Sequence, residues 1–361
     1  MRLLPLVVLA ACGAEVSPIV EAHVLFDGYD EANNDCRHGP CIHDENTDLT
    51  VFEGATYLVH RTAQSQVLGP NSSLRVYRSL DHGASWSAPS IIAAPADRDL
   101  RDPSFYVDAT GALSVKAITR LPVTSTRDSD VDSITVRTAF VAGAWTPLAP
   151  IGPETWSFWR VKADTDTTLY AAAYADGDSS VKLFSSSDGV AWRAGAMIYD
   201  NAADTPLETE LMFDASGVTA YVRMDGTNEE LLGSEGRLRT KICTAPRPYT
   251  QFDCSTELAG VRLDGPVGFD YRGRRFMIAR KHLLEAANRK RTALYELVGA
   301  TWSELAVFPS AGDTSYAGVA PIDDAGKFLV TYYSSDVVVD APWARAMFGP
   351  TDIWQATIDL R

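Results

Sequence analysis

Acids, arginines and tyrosines recur at matched places along this 361-residue chain. Asp48, Asp102 and Glu208 each open a short apolar run, as do Arg160 and Tyr316. Arg61, Arg223, Arg280 and Tyr333 each close the run that follows, and Arg101 adjoins Asp102. Carboxylates of this kind give and take protons. A guanidinium forks onto an oxyanion through parallel hydrogen bonds. A positioned phenol is both a hydrogen-bond donor and, on losing its proton, a nucleophile.

The elements that must position these residues come from a repeat. Six units begin at Asp48, Asp102, Arg160, Glu208, Pro266 and Tyr316, so successive starts lie 54, 58, 48, 58 and 50 residues apart. Each unit is a polar residue, an apolar strand, a turn containing Gly, and a second strand ending in Arg or Tyr. A Gly-to-Trp turn recurs downstream, at Gly83–Trp86, Gly143–Trp145, Gly189–Trp192 and Gly299–Trp302. A period near fifty residues built only from strands predicts an all-β, six-bladed propeller with four antiparallel strands per blade. Unit six is one strand short, and Val20–Phe26 is expected to supply it and close the ring. A single short helix is expected over Leu283–Lys290.

In such a ring the first strand of each blade is innermost and the second returns to its starting end. The site residues named above therefore crowd one mouth of the central channel, where a functional pocket is expected. His60, beside Arg61, reads as structural. Asp128–Asp132 resembles the opening of a calcium loop but lacks its Gly and closing Glu. No metal and no cofactor are expected.

The net charge of −15 argues against nucleic acid or anionic lipid as a partner. Leu3–Leu9 is apolar but too short to span a membrane. It runs into Leu9-Ala10-Ala11-Cys12, which resembles a bacterial lipobox. The resemblance implies cleavage before Cys12, a lipid on its sulfur, and a cell-envelope location. Residues 1–11 are then signal, 12–19 a short tether, and 20–361 the propeller. Export implies an oxidising compartment. Of three pairings open to the other four cysteines, the simplest joins Cys36 to Cys41 and Cys243 to Cys254. The second pair sits where unit four lacks its Trp turn. Zinc is the weaker alternative, because neither spacing is that of a knuckle.

Ser79-Leu80-Asp81-His82-Gly83-Ala84-Ser85-Trp86 resembles an Asp box, and Ser186–Trp192 is a shorter relative. Together with the repeat, this resembles the sialidase superfamily. The boxes lie at the turn between third and fourth strands, away from the mouth, and read as structural. The resemblance implies Tyr316 as nucleophile, Glu208 as its base, and Arg223 with Arg280 as an anion clamp. The family's first arginine and its acid are not where the pattern puts them. Glu45–Leu49 stands in the first place, and Thr62–Gln66 follows Arg61 in the second. Arg61, Arg101 or Arg160 is the candidate replacement for the arginine, and Asp48 or Asp102 for the acid. The expectation is a monomeric exo-glycosidase that removes a terminal, acidic sugar. The alternative is a glycan-binding lipoprotein without catalysis.

Overall fold

The computed structural model describes residues 17–28, 35–67, 69–121, 132–175, 179–226, 238–283 and 289–361. Residues 1–11, expected from sequence to be signal, Cys12 and most of the Asp128–Asp132 loop lie outside them. The chain forms an all-β propeller of six sheets. The innermost strands are His43–Phe52, Asp99–Val107, Ser157–Ala163, Pro206–Asp214, Asp264–Tyr271 and Thr314–Pro321. In each blade the next strand returns antiparallel, as Ala55–Ala63 does against His43–Phe52. In blade two the outermost strand is split into two short pieces, Ala144–Trp145 and Ala149–Pro150.

Ring closure follows the sequence expectation. Ile19–Phe26 pairs antiparallel with Asp352–Asp359 and becomes the outer strand of blade six. Both ends of the chain then share one sheet, so opening the ring requires breaking a strand ladder. Two of the Trp turns hold a blade to its neighbour. Trp86 Nε1 donates to Gln355 Oε1 in blade six at 3.0 Å, and Trp302 packs edge-on against Tyr221 of blade four. Within the first turn, Asp81 Oδ1 accepts from the Ser85 N–H at 2.8 Å, which fixes the hairpin. Blade four has the Cys243–Cys254 disulfide at this place, and Cys36–Cys41 closes a loop before blade one.

The helix expected over Leu283–Lys290 is not there at either end. Leu283 pairs with Arg289 and His282 with Lys290 in an extended hairpin. The helical reading rested on Leu, Glu and Ala propensity, and strand pairing overrode it at these positions. Residues 284–288 are outside the described set. A four-residue helix lies instead at Trp343–Ala346, in blade six.

One regularity was not visible in the sequence. Every innermost strand carries a bulge near its start. Between Glu45 and Asp48 the inner strand advances three residues while its partner, Arg61 to Val59, advances two. The same extra residue occurs after Arg101, Phe158, Pro206, Asp264 and Ser315. A bulge bends its strand and re-aims a side chain. Asn46, Asp102, Gly265 and Tyr316 hold left-handed φ of 55°, 51°, 56° and 48° at these bulges.

Candidate functional site

The six bulges form a ring around one mouth of the channel. From blade six, the Tyr316 ring crosses in front of blade five to reach blade four. It can do so because blade five offers Gly265 there. A Cβ on Gly265 would lie 2.7 Å from Tyr316 Cδ2. Tyr316 Oη donates to Glu208 Oε1 at 2.5 Å and accepts from Arg223 Nη1 at 3.1 Å. Glu208 Oε2 accepts from Arg223 Nη1 at 2.6 Å and from the Gly265 N–H at 2.9 Å. Burial, then the Glu208 charge, push the Tyr316 phenol well above its ordinary pKa. The phenol therefore keeps its proton until something draws charge from its oxygen.

Arg223 is held in turn. Its Nε and Nη2 donate to the two oxygens of Asp225 at 2.6 and 3.1 Å, and Asp264 lies 3.2 Å from Nε. Burial opposes the charge on Arg223, but Asp225, Asp264 and Glu208 outweigh it and raise its pKa further. Behind the Tyr316 ring, the Arg280 guanidinium stacks at 5.1 Å. Arg280 donates to Thr314 O, Asp313 Oδ1 and Tyr333 Oη at 2.8, 3.1 and 2.8 Å. Tyr333 and the Trp343 indole also donate to Asp313.

The opposite side of the mouth is built differently. Arg160 of blade three spans the channel. It donates to Asp48 Oδ1 in blade one at 2.5 Å and to Ala317 O in blade six at 2.7 Å. Asp48 Oδ2 accepts from the Phe105 N–H at 2.7 Å. Asp102 accepts from Asn46 Nδ2 at 2.6 Å. Lys116 donates to the carbonyls of Asp102 and Phe158, both at 2.7 Å, and so ties the bulges of blades two and three together. Burial pushes its pKa down to about 7. Trp159 packs edge-on to Tyr316 with centroids 5.7 Å apart. A small cavity beside Tyr316 is lined by Asn46, Asp102, Ser104, Lys116, Trp159 and Arg160.

No protein-family model matches the chain, and no curated protein matches it in sequence. Solved structures do match. A protein of unknown function from Dyadobacter fermentans has a TM-score of 0.72 at 16% identity, over 95% of this chain and 99% of that one. Trypanosoma rangeli sialidase in complex with the inhibitor DANA has a TM-score of 0.67 at 14% identity, over 93% of this chain. The match spans 59% of the trypanosomal chain. NanB sialidase from Streptococcus pneumoniae has a TM-score of 0.65 at 9% identity, over 91% of this chain and 70% of that one. The fold is one that sialidases share.

On this sialidase fold, exposure sorts the residues expected from sequence into two groups. Tyr316 and Arg160 are 7% exposed, Glu208, Arg223 and Asp48 are 6%, and Asp102 is 8%, so each shows an edge to the mouth. Arg61 and Tyr333 are at 0% and Arg280 at 1%, behind that surface. Arg61 is consumed by structure. It donates to Asp99 through Nε and Nη2, to Glu45 through Nη1, and to Ser65 O. Arg101 pairs with the other side of Asp99 at 2.8 Å. Burial works against the Asp99 charge, yet Arg61 and Arg101 hold its pKa down at about 2. His60 is buried and stacked on Tyr77, apart from the mouth.

Sequence reasoning missed Lys116, Trp159, Gly265 and the acids Asp225 and Asp264 that hold Arg223. It also missed His43, whose Nε2 faces Glu45 and Asp313 at 3.3 and 3.5 Å. Burial opposes charge on His43, but Asp313 and Glu45 push its pKa up to about 9. Only Gly265 left a trace in the sequence, as an Asp-Gly-Pro run at a strand start.

Proposed function

We propose that this protein is a glycoside hydrolase that removes a terminal sugar from a glycan, with Tyr316 as nucleophile and Glu208 as its base. The Tyr316–Glu208 contact carries the reading. A phenol that donates to a buried carboxylate while accepting from a guanidinium is set up to lose its proton as its oxygen attacks. Tyr316 Oη bonds to the anomeric carbon, the glycosidic C–O bond breaks, and the phenolic proton passes to Glu208. A carboxylic acid must protonate the leaving oxygen. Asp102 suits this role better than Asp48, because Asp48 is engaged by Arg160 and Asp102 is bound only by the neutral Asn46 amide among the side-chain hydrogen bonds described. Water then attacks the anomeric carbon and gives a proton to the Asp102 carboxylate, while the bond to Tyr316 Oη breaks and the phenol takes its proton back from Glu208.

The test is acid-quench mass spectrometry during turnover of aryl glycosides. A sugar adduct is expected on the Tyr316 peptide and absent in Tyr316→Phe. Turnover without any adduct, together with full activity of Tyr316→Phe, rejects the reading. One observation favours a second reading, a glycan-binding protein without catalysis: Thr62–Gln66 holds no acid after the second strand of blade one. Glycan-array binding with no hydrolysis supports that alternative. We also propose that Cys12 carries a lipid that tethers the propeller to the cell envelope.

A further inference from the structure

We infer that the sugar taken at this mouth is uncharged, a neutral pyranoside rather than a sugar acid. The inference rests on the mouth being a glycan site. Spacing alone suggests an open anion clamp at Arg223 and Arg280, but the tertiary structure has already closed it with the chain's own acids. Arg223 spends Nε and Nη2 on Asp225, and Nη1 on Glu208 and Tyr316. Arg160 spends Nη1 on Asp48 and Nη2 on Ala317 O, which leaves only its buried Nε without a partner. Arg280 lies behind the Tyr316 ring and is bound to Asp313, Thr314 and Tyr333. Among the described residues, no arginine at the mouth is without a carboxylate of this chain.

A ligand carboxylate would have to displace one of these buried acids. The displaced acid would then be left charged and unpaired, which is strongly unfavourable. The newcomer would also face Asp48, Asp102 and Glu208 on the rim. The field of a chain with net charge −15 opposes an anion at longer range. What the mouth does offer suits hydroxyl groups. Ser104 Oγ is buried beside the cavity with no hydrogen-bond partner. Asn46 and Asp102 sit beside it, and the buried Trp159 indole, with Arg160 over its ring at 5.6 Å, forms the wall next to the Tyr316 ring.

The experiment is ligand-observed NMR on the wild-type protein. The probes are 4-nitrophenyl glycosides of neutral hexoses and deoxyhexoses, set against 4-nitrophenyl glucuronide and 4-methylumbelliferyl N-acetylneuraminate. Neutral probes should bind, with an affinity that does not change from low to high salt. Trp159→Ala should weaken that binding about tenfold, and Trp159→Phe should restore most of it. Preferential binding of an acidic probe, or binding of no neutral probe, overturns the inference. Neutral binding without turnover would reject the Tyr–Glu chemistry and leave this inference standing. Turnover of an acidic probe through a Tyr316 adduct would do the reverse.

Discussion

Tyr316 and Glu208 are 108 residues apart in the chain and 2.5 Å apart in space, bridging blades six and four over the bare backbone of Gly265. Neither side chain reaches the other without that gap. If they act as one unit, Tyr316→Phe and Glu208→Gln should each lower kcat by about 10²–10⁴-fold. The double variant should be little worse than either single one, because members of a unit are not additive. Steady-state kinetics on a confirmed substrate decide the matter, and multiplicative losses would count against a shared step.

Gly265→Ala should damage both stability and the site. A φ of 56° costs a residue with a Cβ about 1–2 kcal/mol, and the new methyl would meet the Tyr316 ring. The expected result is a lower melting temperature together with a fall in kcat. Thermal melts and kinetics on the same preparation check it. An unchanged kcat would mean that the ring need not pass that point.

His43 should tie stability to pH. Its folded pKa lies at about 9 against about 6.5 when unfolded, so the charge contributes fully below 6.5 and is lost as pH rises through 9. Wild type should lose a few kcal/mol of advantage over His43→Gln across that window. Lys116, depressed to about 7, acts with the opposite sign, so the difference between variant and wild type is the readout. Denaturant titrations from pH 6 to 9.5 give it. A flat difference would show that His43 stays neutral between Glu45 and Asp313.

Loss of the blade-four disulfide should be costly. Cys243 and Cys254 close a loop of 11 residues, which is worth about 2–3 kcal/mol in chain entropy. Cys243→Ser should melt earlier, and the loss should fall on blade four in hydrogen exchange. Protection lost evenly across all blades would indicate global rather than local support.

Cys12 should carry a lipid in cells that process lipoproteins. Mass spectrometry of the mature N-terminus should find cleavage before Cys12 and an acylated sulfur. An unmodified Cys12 removes the anchor and the envelope location together.

Periodicity determined the architecture in advance. Strand patterns repeat along the chain, and each blade is a local hairpin stack, so the six units, the closing strand Ile19–Phe26 and the blade-four disulfide were legible from spacing. Residue type also placed Glu208, Arg223 and Tyr316 at the mouth, because a strand start or end in a propeller has a known address. What the sequence could not show is which charges meet. Arg160 finds Asp48 across the channel, Arg61 is spent on Asp99 and Glu45, and Arg223 is spent on Asp225 and Glu208. The Arg160–Asp48 pairing joins residues at two of the six bulges, and a bulge leaves no periodic signal. The local pattern thus determined where the site is. Only the closed ring, by bringing non-neighbouring blades within bonding distance, decided which arginines are occupied and which two residues share a proton.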